Sequence, residues 1–329
     1  MKKLLNSLFT VITLIPASSC YSDIDLDHYI NDSGASLLVL NSIINPDSMV
    51  KVSATRTYFF SDYHPEHDFV PDLAIDLYIN GKFCQQMEFS TSDMAYHSSF
   101  IPAPGDTLEL STSYGGKLVK STDVMPHKIK IESVEIERQG PTQYYSRNDY
   151  IFTYRITFAD PPKEQNFYFI RYDGYGDGIY GFMEERNYTY EYVFQQLAKQ
   201  IQVSRPGWVP YSPLGLPFSD EGIDGKTHTL ILKEIVQGGV ISYLHNWTCM
   251  YRNFKLYSIS ENYYKYLVSV LCNDTYDDSL SGGLVNIGLV EPTKIFTNIT
   301  GNGVGILASY VVTDTTINTF DTVGSFPKQ

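Results

Sequence analysis

Cysteine, tryptophan and basic charge are all scarce in this chain, and each scarcity removes a class of protein. Four cysteines stand in 329 residues. Apart from Cys20 in the leader, Cys84, Cys249 and Cys272 are an odd number, which cannot complete a disulfide framework. They read as buried thiols, with a Cys249–Cys272 bridge open to an exported chain. Lys and Arg total 24 against 37 Asp and Glu, a formal charge of −13 with a pI near 4.9. Nucleic acid demands a basic footprint, and anionic lipid heads attract basic segments, so neither partner suits this chain. No apolar run reaches the roughly 20 residues of a membrane span. A G-x-S-x-G elbow is missing, which removes the commonest serine hydrolase signature. Gly301, Gly303 and Gly305 lack the following helix of a nucleotide loop; a strand, Ile306–Val312, comes next, so they read as turn glycines.

What is present begins with the leader MKKLLNSLFTVITLIPASSC. Lys2 and Lys3 make a positive end, Leu4–Ile15 a short apolar stretch broken by Asn6, Ser7, Thr10 and Thr13, and Ala17-Ser18-Ser19 a small-residue cleavage site. Cys20 at that point resembles the bacterial lipobox, in which the thiol is acylated before cleavage. Residues 1–19 are then a signal peptide and Cys20 the lipid-anchored first residue; several acyl chains hold far more firmly than one, since each buried CH₂ adds about 0.8 kcal/mol of membrane affinity. Loss of Lys2 and Lys3 takes the formal charge from −13 to −15. Residues 20–32 form a tether in which Asp23, Asp25 and Asp27 resemble the acidic export signal of Bacteroidota surface lipoproteins; an ordinary solvated linker would look the same.

The rest leans towards β structure: 27 Tyr and 18 Phe accompany only 2 Trp, and aromatic side chains favour pleated, half-buried surfaces. Leu37–Ile44 and Val50–Phe60 are strand-like runs. Leu73, Ile75, Leu77 and Ile79 alternate with Ala74, Asp76 and Tyr78, the period of a strand with one buried face. Asn80-Gly81 then leads into Lys82–Phe89, a strong hairpin signal because both turn positions take positive φ. A second hairpin joins Leu108–Tyr114 to Lys117–Val124 through Gly115-Gly116. Met125-Pro126 ends this region, so residues 33–126 read as a β-sandwich of immunoglobulin-like or transthyretin-like type. Residues 127–329 read as a larger β-rich domain, with strands at Lys128–Glu137, Asp149–Phe158, Asn166–Tyr172, His228–Ile235 and Val240–Leu244. The four prolines between Val203 and Gly222 mark a long loop or irregular cover. Ser258-Ile259-Ser260-Glu261 fits a capping box, and Tyr263, Tyr266, Leu267, Val270 and Leu271 follow at helical spacing. Glu191–Ile201 is a second candidate helix. The fold class is mainly β, with one or two short helices.

Chemistry-bearing clusters are few. His64, Glu66 and His67, with Asp62 and Asp68 beside them, have the donor atoms of a metal site, but Pro65 and the polar setting also suit a solvated loop. Asp173–Gly178 lacks the middle carboxylate and distal glutamate of a calcium loop and reads as a β-turn. Glu184, Glu185, Asp220 and Glu221 are the acidic residues from which a glycoside-cleaving pair would be drawn. Eleven tyrosines lie between Tyr144 and Tyr192. Tyr and Trp bring large contact area at low entropy cost, so Tyr175, Tyr180, Trp208 and Tyr211 are candidates for a binding surface, while Tyr154 and Tyr168 are expected to pack the sheets.

Several stretches, in order, resemble a family of Bacteroidota lipoproteins called domain of unknown function 4249. They are the acidic start after Cys20, Pro104-Gly105-Asp106-Thr107-Leu108-Glu109-Leu110, Met125-Pro126 leading to Ile131-Glu132-Ser133-Val134, and Ala159-Asp160-Pro161 leading to Asn166-Phe167-Tyr168. Phe218–Gly225, Ser258–Leu267 and Thr297–Gly305 complete the set, and the chain departs at Phe167, where the family usually has a second Tyr. The resemblance implies an outer-membrane lipoprotein encoded beside a TonB-dependent transporter, with no catalytic residues to carry over and no cofactor. The expectation is therefore a non-enzymatic accessory protein that binds a ligand or the transporter itself. A surface hydrolase of glycans or peptides is the alternative, and a structural or adhesive surface protein a third.

Overall fold

The computed structural model describes residues 36–57, 69–142, 149–176, 179–180, 185–187, 191–200, 216–236, 250–274 and 294–318. Its elements run β1 (Leu38–Ile44), β2 (Lys51–Arg56), β3 (Asp76–Ile79), β4 (Lys82–Gln86), β5 (Glu88–Ser90), β6 (Ala95–His97), β7 (Thr107–Tyr114) and β8 (Lys117–Val124). Then come β9 (Ile131–Thr142), β10 (Asp149–Ala159), β11 (Phe167–Gly176), β12 (Ile179–Tyr180), β13 (Glu185–Asn187) and helix α1 (Tyr192–Gln200). The last elements are β14 (Leu216–Ser219), β15 (Thr227–Val236), β16 (Met250–Ile259), helix α2 (Glu261–Asp274), β17 (Thr300–Gly301) and β18 (Gly303–Asn318).

The protein is mainly β, as the sequence implies, and its strands lie in three sheets among the described residues. The largest runs β12-β11-β16-β18-β1-β2-β6-β5, with β14 also on β11. The others run β17-β8-β7-β3-β4 and β13-β15-β10-β9. In β1 the inward residues Leu38, Leu40 and Ile44 alternate with outward ones. They meet Leu77, Leu108, Leu110 and Val119 of the facing sheet in the first core. Each such side chain contributes about 1.5–3 kcal/mol when fully removed from water. A second core joins Phe152, Tyr154, Ile156 and Phe158 of β10 to Tyr168, Ile170 and Tyr172 of β11 and to Phe254 and Leu256 of β16. The opposite face of β11 is covered by α2, where Phe167 and Phe169 pack against Tyr264 and Leu267.

The hairpin turn at Asn80-Gly81 forms as expected, with φ of 53° and 76°. Tyr154 and Tyr168 are buried sheet residues, also as expected. Other readings need correction. Cys84 is exposed rather than buried, as is most of β4, the edge strand of its sheet; the β3–β4 register also slips between Leu77 and Tyr78, the signature of a bulge. Within the proline-rich stretch Leu216–Ser219 is a strand, not a loop; Pro217 stands opposite Phe169, and a short outlying strand tolerates its missing N–H. Asp173–Gly176 continue β11, and the reversal into β12 falls between Gly176 and Ile179, at the far end of the segment read as a turn. Gly303 and Gly305 lie inside β18. Gly305 has a φ of +116°, and a Cβ there would sit 2.1 Å from the Leu40 carbonyl oxygen, so the close parallel pairing of β18 with β1 requires glycine. The cap of α2 is Ser260, not Ser258: its Oγ accepts the Tyr263 N–H at 3.2 Å, which moves Glu261 to the first helical position. The buried stripe turns accordingly to Tyr264, Leu267 and Leu271.

β18 ties the fold together. Its first half, Gly303–Ser309, pairs in parallel with β1, and its second half, Tyr310–Asn318, pairs antiparallel with β16. Residues near the end of the chain, Ile299, Leu307 and Val311, therefore complete the core begun by residues 38–125.

Candidate binding groove and the aspartates behind it

A cavity of about 390 Å³ opens where β8 leaves the first sandwich, a size within the usual range of small-ligand pockets. Val124, Met125, Pro126, Phe167 and Ile259 form its apolar wall, and His127, Glu164, Asn166 and Glu261 stand among its polar residues. Backbone bonds set this geometry. Met125 N–H donates to Asp106 O and Gly105 N–H to Met125 O, both at 2.9 Å, which fastens the end of β8 to the turn before β7. The opposite wall follows from the cap of α2 at Ser260. Glu261, at the rim, pairs with Lys265 at 2.7 Å.

The third wall is held from behind by carboxylates. Asn166 N–H donates to Asp220 Oδ2 at 2.7 Å, and Asp220 N–H returns a bond to Asn166 O at 3.0 Å. Asp220 belongs with Asp160 and Asp224 to a group whose ligand oxygens lie within 4.8 Å of one another. Among the described residues this is the group with the donor set for a metal ion. Protein donors already serve it: Tyr168 Oη donates to Asp160 Oδ1, Gly225 N–H to Asp160 Oδ2 at 2.8 Å and Lys163 N–H to Asp224 Oδ1 at 3.0 Å. Burial raises the Asp220 pKa above its ordinary value; the Asn166 N–H opposes the rise and the Asp160 and Asp224 charges add to it. The same burial, with the bond to Asp160, drives the Tyr168 hydroxyl far upward. That phenol stays protonated and donates. Tyr168→Phe should cost about 1–3 kcal/mol, the penalty of a buried acceptor left without its donor, measured as a lower urea midpoint at unchanged slope.

A matching tier lies deeper in the second core. Glu234 accepts from Arg252 Nη2 at 2.9 Å, Arg252 Nε at 3.1 Å and Tyr154 Oη at 2.6 Å. Burial works against the Arg252 charge, and the facing Glu234 with Tyr154 and Tyr172 more than reverses this, so the guanidinium pKa is raised. Glu191, at the start of α1, lies 3.4 Å from His228 Nε2 and accepts the Ile231 N–H.

The family described as Domain of unknown function (DUF4249) matches residues 23–316. The chain belongs to it. No curated protein matches the chain. Four separate stretches that carry the family likeness meet at the groove, through Gly105, Met125-Pro126, Asn166-Phe167 and Ser258–Glu261. The third of these stretches also supplies Asp160, and one more, Phe218–Gly225, supplies Asp220 and Asp224. Thr297–Gly305 packs on β8, where Ser121 Oγ donates to Asn298 O at 3.2 Å.

Of the residues singled out from sequence, Cys20, His64, Glu66, His67, Trp208 and Tyr211 lie outside the described residues. Tyr175 and Tyr180 are brought together, directly opposite each other in the β11–β12 hairpin. Asp220, one of the glycoside-pair residues, is buried and committed to Asn166. Sequence reasoning missed the groove and the aspartate group. The available signals were Asp160-Pro161-Pro162 at a strand end and the Asp220…Asp224-Gly225 turn.

Proposed function

We propose that the mature protein is an outer-membrane lipoprotein, held by lipid on Cys20, that serves as a non-enzymatic accessory of a TonB-dependent transporter and binds the transporter or its ligand. The observation that carries this reading is the leader: a positive end, a short apolar stretch and Ala17-Ser18-Ser19-Cys20, followed at once by Asp23, Asp25 and Asp27. The binding reading draws support from the groove and from the opposed Tyr175 and Tyr180. Binding is favoured over glycan or peptide hydrolysis by the use of the buried acids: Asp160, Asp220 and Glu234 each accept bonds that join strands or turns.

The test expresses the full chain with Cys20 and with Cys20→Ala in the native host. The parent protein should take up labelled palmitate and sediment with outer membranes, and the variant should lose the label and leave the membrane fraction. Gentle detergent extraction of the anchored form should bring down a large β-barrel protein in stoichiometric amount. A parent chain that is unlabelled and soluble overturns the lipoprotein reading; an anchored chain that emerges alone overturns the transporter partnership.

A further inference from the structure

One acid outside the aspartate group and the Glu234 tier sits at the place where three segments of the fold are joined. Asp123, near the end of β8, is 3% exposed. Its Oδ1 accepts Asn262 Nδ2 of α2 at 2.8 Å, and its Oδ2 accepts Ser309 Oγ of β18 at 2.5 Å. The Ser260 hydroxyl is a further donor. Around this centre Asn262 Nδ2 also reaches Thr122 O at 3.0 Å, and Ser309 N–H bonds Ser260 Oγ at 3.2 Å. The next residues on each side, Val124, Met125, Ser260 and Glu261, line the groove.

Ser309 Oγ is shared. It lies 2.5 Å from Asp123 Oδ2 and 3.1 Å from the Val124 carbonyl oxygen, and a hydroxyl has a single proton to donate. When Asp123 is ionised, the hydroxyl donates to it and Val124 O gives up the Ser309 donor. When Asp123 carries a proton, the acid donates to Ser309 Oγ and the hydroxyl turns to Val124 O. Only the protonated arrangement lets Ser309 Oγ stay bonded to Asp123 and donate to Val124 O at the same time. We propose that Asp123 is a proton-operated latch, whose protonation tightens the joint between β8, α2 and β18 and whose ionisation loosens it, together with the wall of the groove.

The electrostatics agree. Burial raises the carboxyl from the ordinary 3.8 to about 6, against the bonds from Ser309, Asn262 and Ser260 and from the Val124 N–H. The charged groups on the packed elements are otherwise engaged: Lys120 of β8 with Glu109 at 2.8 Å, and Glu261 of α2 with Lys265 at 2.7 Å. Asp106 of the adjoining turn is bonded by Asn80 Nδ2 at 2.8 Å, and Asp314 of β18 is exposed, five residues beyond Ser309. His127 and Glu164 face the groove. Because the folded carboxyl holds its proton more tightly than the unfolded one, stability is fully retained below about pH 4 and falls as pH rises through about 6.

The decisive measurement is urea unfolding of the mature chain between pH 4 and 7.5, alongside Asp123→Asn, which mimics the protonated acid and cannot ionise. Relative to the variant, the parent's unfolding constant should rise by up to about 100-fold across that range. Hydrogen exchange, corrected for intrinsic rate, should show segments 121–126, 259–264 and 307–310 losing protection over the same interval in the parent alone. If Asp123→Asn does not fold, Ser309→Ala serves: without the shared hydroxyl, the pH dependence of exchange at the joint should change in midpoint or size. Parallel pH profiles for parent and Asp123→Asn, or joint protection independent of pH in the parent, overturn the latch.

Discussion

Glu234→Ala is expected to lower the stability of the folded chain by about 3–5 kcal/mol, the range for removing one partner of a buried ion pair. Glu234 is 0% and Arg252 4% exposed, so water cannot replace the lost carboxylate. The truncation strands a guanidinium in the second core and takes the acceptor from Tyr154 Oη. Urea unfolding at neutral pH measures the loss, and a loss below about 1 kcal/mol would show that the pair is solvated in solution. The companion variant Glu234→Met, Arg252→Met, Tyr154→Phe removes all three polar partners at similar volume. It should recover most of the stability, because replacing a whole buried network by apolar groups is commonly neutral or better. The contrast separates the cost of a stranded charge from the net value of the network. Together the two variants ask whether these residues are kept to hold β10, β15 and β16 in one register.

A fragment of residues 33–126 is expected to remain unfolded, although it contains both hairpins and most of the apolar alternation of a sandwich. In the intact chain β18 lies beside β1 over Leu38–Ile44, and Ile299, Leu307 and Val311 fill part of the core. Cutting them away exposes a strand edge and opens cavities; a single large-to-small change in a core already costs about 2–5 kcal/mol, a large part of a domain's total of about 5–15 kcal/mol. The fragment should show no cooperative urea transition and collapsed amide dispersion. Fusion of residues 294–318 to it through a flexible linker should restore both. A fragment that unfolds cooperatively without that addition would show that the first core is self-sufficient.

Legibility followed the range of the interactions. The Asn80-Gly81 hairpin and the Gly115-Gly116 hairpin were readable because turn geometry is decided by the turn residues themselves. Helix α2 was readable from its spacing, though its cap lay two residues later than the capping-box pattern indicates. Strand β16 escaped because both of its faces are covered: Phe254 and Leu256 enter the second core while Tyr257 and Ile259 lie under α2. A strand buried on two sides loses the polar alternation that marks it. Cys84 was misplaced because β4 lies at the edge of its sheet, and which strand becomes an edge depends on the partners the other strands find. Asp123, Asp160 and Glu234 look alike in sequence to the solvated acids around them. Their burial depends on partners as distant as Ser309, Gly225 and Arg252.

By itself, then, the sequence determined the β class, the two hairpins, the helix and the family likeness, and it supplied the leader on which the proposed address rests. All of these are written in local patterns of a few to twenty residues. The tertiary structure alone decided that residues 298–311 return to finish the first core, that four distant motifs meet at one groove, and that acids such as Asp123, Asp160, Asp220 and Glu234 become buried partners instead of surface charge. The reason is physical. A pattern of apolar residues states which face leaves water, whereas the partner a buried carboxylate meets is settled only when strands far apart in the chain come to lie side by side.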